Sequence, residues 1–455
     1  MAAFLALGAV IGPRRAVALD QAPEARQSAP AAAQSPSDRW WLTFESPALV
    51  SLVEQALTSN LDLEQRRLQL REARLDPAVP RSWLWPLHLG VQGNVSRDKE
   101  YFAVQDVNTS GVFNESDLAV VGTYDIDFAG QRSALRRAAD QREAAVRESG
   151  ESFALSMTAE VATTWFALLE QRSQRALLAR QLAEGDGLLS MVQQRVNLAL
   201  ASRLDLLQQR VQVAGNRAQV PQVEARIRML ENRLAALIGQ ERGHAALPAD
   251  AVLPPLPSRP DIDVRSLIAS RPDVREAEAR AKESDERANA QFATWVPTLQ
   301  AFGRAGFQTY IPKDFFQSPA WAWGVTLAWP VFDGGQRSTE TSRLETEARR
   351  LRTAEAQIVL QATRDVDDAV AAEQTTTAFL AEIAAQVETG QAALEEAKAR
   401  YQRGLNDYTP VLTALRILQD AERARLAAQG QLLAVRVRLH EVLPGSWTAA
   451  TMGER

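Results

Sequence analysis

The sequence has 455 residues, a formal net charge of −5 and no cysteine. The lack of cysteine excludes disulfides, thiolate catalysis and Cys-based metal sites, and the interspersed charges give no basic field for nucleic acid. A chain of this length could hold two or three globular domains if each could fold alone.

The start of the chain has features of an export signal. Residues 1–12 form an apolar run too short to span a bilayer, and Ala16-Val17-Ala18 gives a small-x-small cleavage pattern. Residues 19–39 are rich in Ala, Pro, Gln and Ser, a composition that predicts a flexible leader. We therefore expect a signal peptide within residues 1–18, partial or with a misassigned start, and a folded chain from residue 40.

Two stretches of the sequence are copies of each other. Gly130 and Gly335 each precede Gln-Arg-Ser and the start of a long helical pattern, and their positions differ by 205. The same spacing relates Leu207 to Leu412 far downstream. Upstream, Pro86 and Pro297 are 211 apart, so the first copy has extra residues, which we expect in a longer loop between its strands. This pattern predicts a tandem structural repeat.

The predicted elements follow the same order in both repeats. In the first repeat, at 40–245, we expect a helix at 47–76, a β-hairpin at 86–128 with a polar loop at 97–117, a long helix at 131–197 and a return helix at 203–238. A proline-rich connector at 246–261 leads to the second repeat at 262–443, with a helix at 262–293, a β-hairpin at 297–332, a long helix at 336–401, a return helix at 409–441 and a tail at 444–455.

Helix starts are predicted from local signals. Ser46-Pro47 and Thr409-Pro410 each place a capping residue before a proline, and Ser202 with Asp205 has the form of a capping box. The long helices of about 65 residues would each extend about 100 Å. Helices of this length are not needed in a compact domain.

The strands alternate between apolar and polar residues. The apolar set of the last strand is Trp321, Trp323, Val325, Leu327, Trp329 and Val331. Such alternation is typical of a membrane β-barrel, with Trp321, Trp323, Trp329 and Tyr124 as interfacial aromatics, but it also fits a sheet packed on a soluble core. Four strands cannot close a barrel, and an open edge in a bilayer leaves backbone groups unpaired. Three copies would supply twelve strands.

The chain resembles the outer-membrane efflux factors, the TolC/OprM family, and in particular its NodT-like branch. The matching residues are Trp40-Trp41, Leu61-Asp62-Leu63, Arg271-Pro272-Asp273, Glu276-Ala277-Glu278, Trp329-Pro330-Val331-Phe332-Asp333-Gly334-Gly335 and Arg400-Tyr401 with Gly404. The resemblance implies a mainly α fold with a small β part, in which a homotrimer forms a twelve-stranded outer-membrane barrel and a long periplasmic α-helical barrel. It also implies a passive conduit for drugs, metals or other small molecules in a Gram-negative cell, serving an inner-membrane RND-type transporter through a periplasmic adaptor.

The same resemblance assigns roles to the helix-turn tips. The tips would close the periplasmic mouth in an iris-like manner and meet the adaptor, and they map to Leu198, Ala199, Leu200, Arg403, Gly404 and Leu405. Ala199 stands where the first tip normally has glycine.

Three residues are implied in gating. Tyr401 would hydrogen-bond Asp205, although Asp205 could equally be the carboxylate of the capping box. Positions that hold pore carboxylates in other members are here Pro410 and Thr413. Asp407 is the nearest remaining acid, and it also fits a solvated turn residue.

Two other classes of protein fit the sequence less well. An enzyme is disfavoured because the sequence lacks a Gly-x-Ser-x-Gly elbow, a phosphate-binding Gly-Lys loop and a His-Glu pair. We expect no cofactor or metal. A soluble or periplasmic coiled-coil scaffold without a channel would explain the helices but not the tryptophan-rich strands.

Overall fold

A computed structural model describes residues 39–76, 79, 85–104, 107–241, 247–248, 252–259 and 268–443. The predicted signal peptide at 1–18 and the tail at 444–455 lie outside the described residues, as do nearly all of the leader and part of the connector.

The same order of elements occurs twice along the chain. The first set is α1 (Pro47–Ser59), α2 (Leu61–Arg74), β1 (Leu87–Val104), β2 (Val107–Ile126), α3 (Gln131–Asn197) and α4 (Arg203–Leu237). The second set is α5 (Pro272–Phe292), β3 (Thr298–Thr309), β4 (Pro319–Ala328), α6 (Gln336–Gln402) and α7 (Thr409–Val442). Both long helices, α3 and α6, contain 67 residues, which corresponds to about 100 Å each. The predicted fold class, mainly α with duplicated helical hairpins and two β-hairpins, is confirmed.

The helices pack side by side at the end of the fold that lies away from the strands. α3 packs against α4 on one side and α7 on the other, and α7 also packs against α6. At the end of the fold nearer the strands, α5 packs against both α3 and α6. The shorter helices of each repeat therefore pack along the long helices α3 and α6.

Both long helices begin from the same kind of joint. Gly130 and Gly335 adopt left-handed backbone conformations, with φ of 74° and 88°, which glycine tolerates at no steric cost. An aspartate then accepts hydrogen bonds from the first turn of each helix. Asp127 accepts from Ser133 N at 2.9 Å, and Asp333 accepts from Arg337 N at 3.1 Å. A carboxylate at a helix start satisfies free N–H groups and complements the helix dipole.

The first predicted loop is wrong. β1 and β2 pair continuously from Leu87↔Tyr124 to Val104↔Val107, so residues 97–117, predicted as a polar loop, are mostly strand. The extra residues of the first repeat lengthen its strands rather than a loop. Apolar alternation stops near Val95, but the backbone ladder continues because polar side chains can point to either side of a hairpin in water.

The helix predicted at 47–76 is two helices. Asn60 has extended backbone between them, its side chain accepts from Leu63 N at 2.9 Å, and its Nδ2 donates to Leu237 O at 2.9 Å. One amide thus caps α2 and joins it to the end of α4, because an asparagine side chain both accepts and donates.

The second repeat differs from its prediction in three places. The helix predicted at 262–293 begins at Pro272 within the described residues, because proline holds the preceding Arg271 in extended backbone, with ψ of 135°. β4 ends at Ala328, so Trp329 and Val331 lie beyond the strand, since Pro330 has no N–H for the ladder. Tyr408, rather than Thr409, precedes α7, and no side chain caps that helix. The predicted Thr409 cap is therefore wrong.

Three apolar clusters hold the helices together within the described residues, and two of them are large. The aromatic cluster brings Trp40, Trp41 and Phe44 of an N-terminal 3-10 turn against Trp165 and Phe166 of α3. The tip cluster lies at the far end, where residues of α3, α4, α6 and α7 meet, including Val192, Leu206, Val387, Leu394 and Leu415. Burial of such side chains is the main favourable term for helix packing.

Candidate functional site

The four strands form one antiparallel sheet in the order β1-β2-β3-β4. Their register places most of the apolar residues of the four strands on one face, with Val121 and Phe302 as exceptions. Rows across the sheet include Leu87, Tyr124, Ala301 and Val325, then Leu89, Gly122, Gly303 and Trp323, then Val91, Val120, Ala305 and Trp321. Trp321 and Trp323 are 75% and 76% exposed. A contiguous bare apolar face of this kind marks a surface that meets lipid or protein.

The opposite face of the sheet is polar. Three side chains of β3 each bond a carboxylate of β2: Gln300 to Asp125, Arg304 to Asp117 and Gln308 to Glu115, all at 2.7 Å. The sheet therefore has one face suited to hydrocarbon and one suited to water, as a strand of a membrane barrel requires.

Both edges of the sheet, β1 and β4, have no neighbour within the described residues. The unpaired N–H and C=O groups of an edge strand are a template for another strand. Within the described residues, the sheet therefore has two edges at which further strands could pair.

The aromatic residues predicted to lie at the membrane interface occupy different places, and their role stays a prediction. Tyr124 lies near the helix-proximal end of β2 and is exposed, whereas Trp329 lies past β4 and donates from Nε1 to Trp295 O at 3.2 Å. Sequence reasoning missed a second aromatic feature at the same level. The guanidinium of Arg132 lies 5.0 Å from the ring of Trp85, and that of Arg337 lies 4.9 Å from Trp295. The 205 spacing of the two arginines was the available signal.

The two tips have the same backbone design. Leu200 N donates to Arg195 O at 2.8 Å and Ala199 N to Val196 O at 3.0 Å. At the second tip, Leu405 N donates to Arg400 O and Gly404 N to Tyr401 O, both at 3.0 Å. This pair of backbone hydrogen bonds is the Schellman motif, which requires a residue in the left-handed conformation. Leu198, Leu200 and Leu405 are exposed at the tips.

Ala199 takes the left-handed position at the first tip, with φ of 56°, where Gly404 has 73° at the second. A Cβ in this conformation costs about 1–2 kcal/mol, offset in part by the larger unfolded-state entropy of glycine.

We therefore expect Ala199→Gly to stabilise the protein by about 0.5–1 kcal/mol, and Gly404→Ala to destabilise it by a similar amount. Guanidinium unfolding of the purified protein in detergent measures both changes. Equal destabilisation by the two variants would contradict this account of the tip.

Tyr401 lies beside the tips and is buried. Its hydroxyl has no hydrogen-bond partner among the described residues, and the guanidinium of Arg195 lies 4.7 Å from its ring centre. Burial raises the pKa of the Tyr401 phenol and the charge of Asp205 adds to the rise, whereas Arg195 opposes it.

Asp205 is engaged in the capping box. Its carboxylate accepts from Ser202 N at 3.0 Å, and Ser202 Oγ accepts from Asp205 N at 3.1 Å, so the predicted capping box is confirmed. Tyr401 and Asp205 are not hydrogen-bonded to each other in this conformation, and their gating role stays a prediction. Asp407 is exposed in the second turn, and its role also stays a prediction.

Tyr408 is the tip residue that sequence reasoning missed. It is fully buried, its hydroxyl donates to Gln209 Oε1 at 2.7 Å, and its ring meets that of Tyr401 edge-on at 5.2 Å. Burial raises the pKa of the Tyr408 phenol. This hydrogen bond connects the second tip to α4 of the first repeat.

We expect Tyr408→Phe to destabilise the protein by about 1–3 kcal/mol, because it leaves the buried Gln209 oxygen without this donor. Tyr401→Phe is the matched control, since the Tyr401 hydroxyl has no hydrogen-bond partner of good geometry among the described residues. Denaturant midpoints of the two variants should therefore differ clearly, and indistinguishable midpoints would show that the Tyr408 bond contributes nothing.

Within the described residues, α3 is the one helix that is long and apolar enough to cross a membrane by length and composition. Its most apolar stretch is 67% buried inside the chain, as in the core helix of a packed bundle.

Comparison with known proteins agrees with these features. The family model described as outer membrane efflux protein matches residues 52–240 and 264–445. The chain is 27% identical over 442 residues to the pyoverdine export outer membrane protein OpmQ of Pseudomonas putida, covering 94% of this chain and 93% of that protein. It is also 27% identical over 420 residues to the toluene efflux pump outer membrane protein TtgF of the same species, covering 90% and 85%.

The fold is shared with solved structures. The outer membrane protein VceC of Vibrio cholerae aligns with a TM-score of 0.82 at 23% identity, covering 90% of this chain and 100% of VceC. The resemblance found in the sequence is confirmed at the level of the family. The chain belongs to the outer membrane efflux protein family, whose members are passive channels of efflux pumps and not enzymes.

Proposed function

We propose that this protein is the outer-membrane channel of a tripartite efflux pump in a Gram-negative cell, and that it works as a homotrimer. The single observation that carries the proposal is the sheet, which has a continuous apolar face, a polar face and two open edges. In hydrocarbon each unpaired backbone group costs several kcal/mol, so a membrane sheet must close.

Three copies close the sheet most simply. Three sheets of four strands give twelve strands, an even number within the range of membrane barrels. The six long helices of the trimer would then form a periplasmic tube about 100 Å long. A soluble scaffold would instead leave Trp321 and Trp323 bare in water, which disfavours that alternative.

The partners follow from the position of the tips. A periplasmic adaptor would contact the tip residues Leu198, Ala199, Leu200, Arg403, Gly404 and Leu405, three of which are exposed leucines, and an inner-membrane RND-type transporter would supply energy. The names of the relatives OpmQ and TtgF mention pyoverdine and toluene. We infer a cargo of small molecules for this chain as well.

Purification in detergent tests the proposal directly. The expected result is a trimer by light scattering that needs amphiphile to remain in solution and forms ion-conducting pores in planar bilayers. A water-soluble monomer that never conducts would refute it.

The gate is tested by single-channel recording. We expect Tyr401→Phe with Asp205→Ala to raise conductance, because the alanine removes the capping box and loosens the start of α4 at the tip. Asp205→Asn keeps an acceptor for Ser202, so it separates the effect of capping from that of charge. Unchanged conductance in the double variant would show that neither residue takes part in gating.

Asp407 is tested by the reversal potential under a salt gradient. An unchanged reversal potential in Asp407→Asn would show that this residue does not take part in ion selection.

A further inference from the structure

A strip of buried amides lies between the two repeats, above the tip cluster. Its members are Gln181 of α3, Gln209 and Asn216 of α4, and Gln419 of α7, each at most 3% exposed. We refer to these four residues as the amide seam. Burial of an amide is unfavourable unless it is hydrogen-bonded, so four of them at one interface call for a reason other than packing.

Gln419 is the centre of the seam. Its Oε1 accepts from Asn216 Nδ2 and from Gln212 Nε2, both at 3.0 Å. Its backbone oxygen accepts from Gln181 Nε2 at 3.3 Å, and the same Gln181 nitrogen donates to Glu422 Oε2 at 2.8 Å. One residue of the second repeat therefore binds both helices of the first. Its own Nε2 is buried without a partner among the described residues.

Three of the four seam residues break the symmetry of the duplication, whereas Gln181 corresponds to another glutamine, the exposed Gln386. At the 205 spacing, Asn216 corresponds to Ala421, Gln209 to Ala414 and Gln419 to Ala214. The contacts inside each hairpin do repeat, since Gly185 faces Val213 in the first and Gly390 faces Leu418 in the second. The amides therefore distinguish the contact between hairpins from the contacts within them.

Two hairpins of equal length and similar tips could exchange places. In the described chain α7 packs on α3, and in the proposed trimer the equivalent junction would join α4 to α6 of a neighbouring copy. If both junctions were equally apolar, α4 of another copy could occupy the place of α7. A single buried polar residue is known to specify register and partner in helical assemblies at a cost in stability.

We propose that the amide seam selects the partner of α3, so that α7 of the second repeat, and not α4 of another copy, packs there. An α4 helix in that place would present Ala214 where Gln419 stands and Arg217 where Glu422 stands. Asn216 would lose its side-chain acceptor, and Gln181 would lose its carboxylate acceptor. The hairpins would then alternate around the trimer. This inference rests on the proposed trimer, and it makes a prediction that a purely structural role does not.

Replacement of the seam amides by apolar residues distinguishes selection of the partner helix from a purely structural role. Asn216→Leu with Gln419→Met removes both sides of the central hydrogen bond and the unpaired Nε2 together, so stability should be kept or raised. The fraction of α3 helices that pack against α7, and not against α4 of another copy, should fall.

Paired cysteines report the partner directly, because the chain has no cysteine of its own. A Cβ at Gly430 would lie 3.0 Å from that of Glu170, close to the separation of about 3.5–4.5 Å in a disulfide, so Glu170→Cys with Gly430→Cys reports correct pairing within one chain. By the 205 spacing, Glu170→Cys with Ala225→Cys reports α4 of another copy in the place of α7, as a covalent dimer.

With the seam intact, we expect an intrachain disulfide from the first reporter and almost no dimer from the second. In the seam variant the dimer should increase about tenfold, the change that corresponds to about 1.4 kcal/mol of discrimination, with an unfolding temperature at least equal to that of the parent. Gln374→Leu, an exposed glutamine of α6, is the control and should change neither reporter.

If the double variant does not fold, Asn216→Ala alone makes the test, because Gln419 Oε1 then keeps its hydrogen bond from Gln212 Nε2. An unchanged dimer fraction in a folded variant would overturn the inference while leaving the trimer intact. A parent protein that is not a trimer would instead refute the proposed function.

Discussion

Replacement of Gly306 by alanine is expected to abolish assembly of the channel. Gly306 lies in β3 opposite Ala119 of β2. A Cβ at this position would lie 2.0 Å from Leu118 O and 2.5 Å from Ala119 Cα, and both are backbone atoms that cannot turn away. The ladder between β2 and β3 joins the two β-hairpins, so its disruption divides the sheet. We expect a cost of at least about 3 kcal/mol.

The measurement is the yield of trimer in detergent extracts, together with conductance in bilayers. Gly303→Ala is the matched control on the same strand, since a Cβ there meets nothing within 4 Å. We expect the control to assemble normally and the Gly306 variant to lose at least about nine-tenths of its trimer, as the estimated cost implies. Normal assembly of both variants would show that the strands shift readily to make room.

Gly239→Ala should cause the largest loss of stability among the helical connections. Gly239 ends α4 with φ of 69°, and a Cβ there would lie 2.2 Å from Ser59 O at the end of α1. The left-handed conformation costs alanine about 1–2 kcal/mol, and the backbone clash adds to this cost. The expected total is at least about 3 kcal/mol.

Gly334→Ala measures the cost of the left-handed backbone conformation without the clash. Gly334 has a similar φ of 65° with nothing within 4 Å of the added Cβ, so this variant should lose only about 0.5–1 kcal/mol, as expected for Gly404→Ala. Denaturant unfolding of both purified variants gives the comparison. Equal losses would mean that α1 moves away from α4 without penalty.

The helices were predictable because their signals are local and repeated. Proline-free stretches, glycine at the starts and a constant spacing of 205 locate α3 and α6, and Gly404 locates the second turn. The strand ends were not predictable, since polar residues after Val95 pair through their backbones, which side-chain alternation does not record. Asn60 was missed although its cap on Leu63 is local, because its second hydrogen bond is to Leu237, far away in the sequence.

The tips were only partly predictable. Their turn positions follow from sequence, but the partner of each side chain depends on how two distant hairpins pack. Tyr408 and the amide seam illustrate this limit. Gln209, Asn216 and Gln419 read as part of an exposed polar helix face, whereas the structure buries them against one another.

The unequal lengths of the edge strands have a consequence at the cell surface. β1 has 18 residues and β4 has 10, so a neighbour's β4 can cover at most about half of β1. The uncovered part would project outside the cell as a bare ribbon able to anneal with foreign strands. Arg97, Asp98 and Lys99 lie there, and charges on a strand margin discourage such annealing. In the proposed trimer, the same residues that ended the hydrophobic pattern would therefore disfavour association between neighbouring channels.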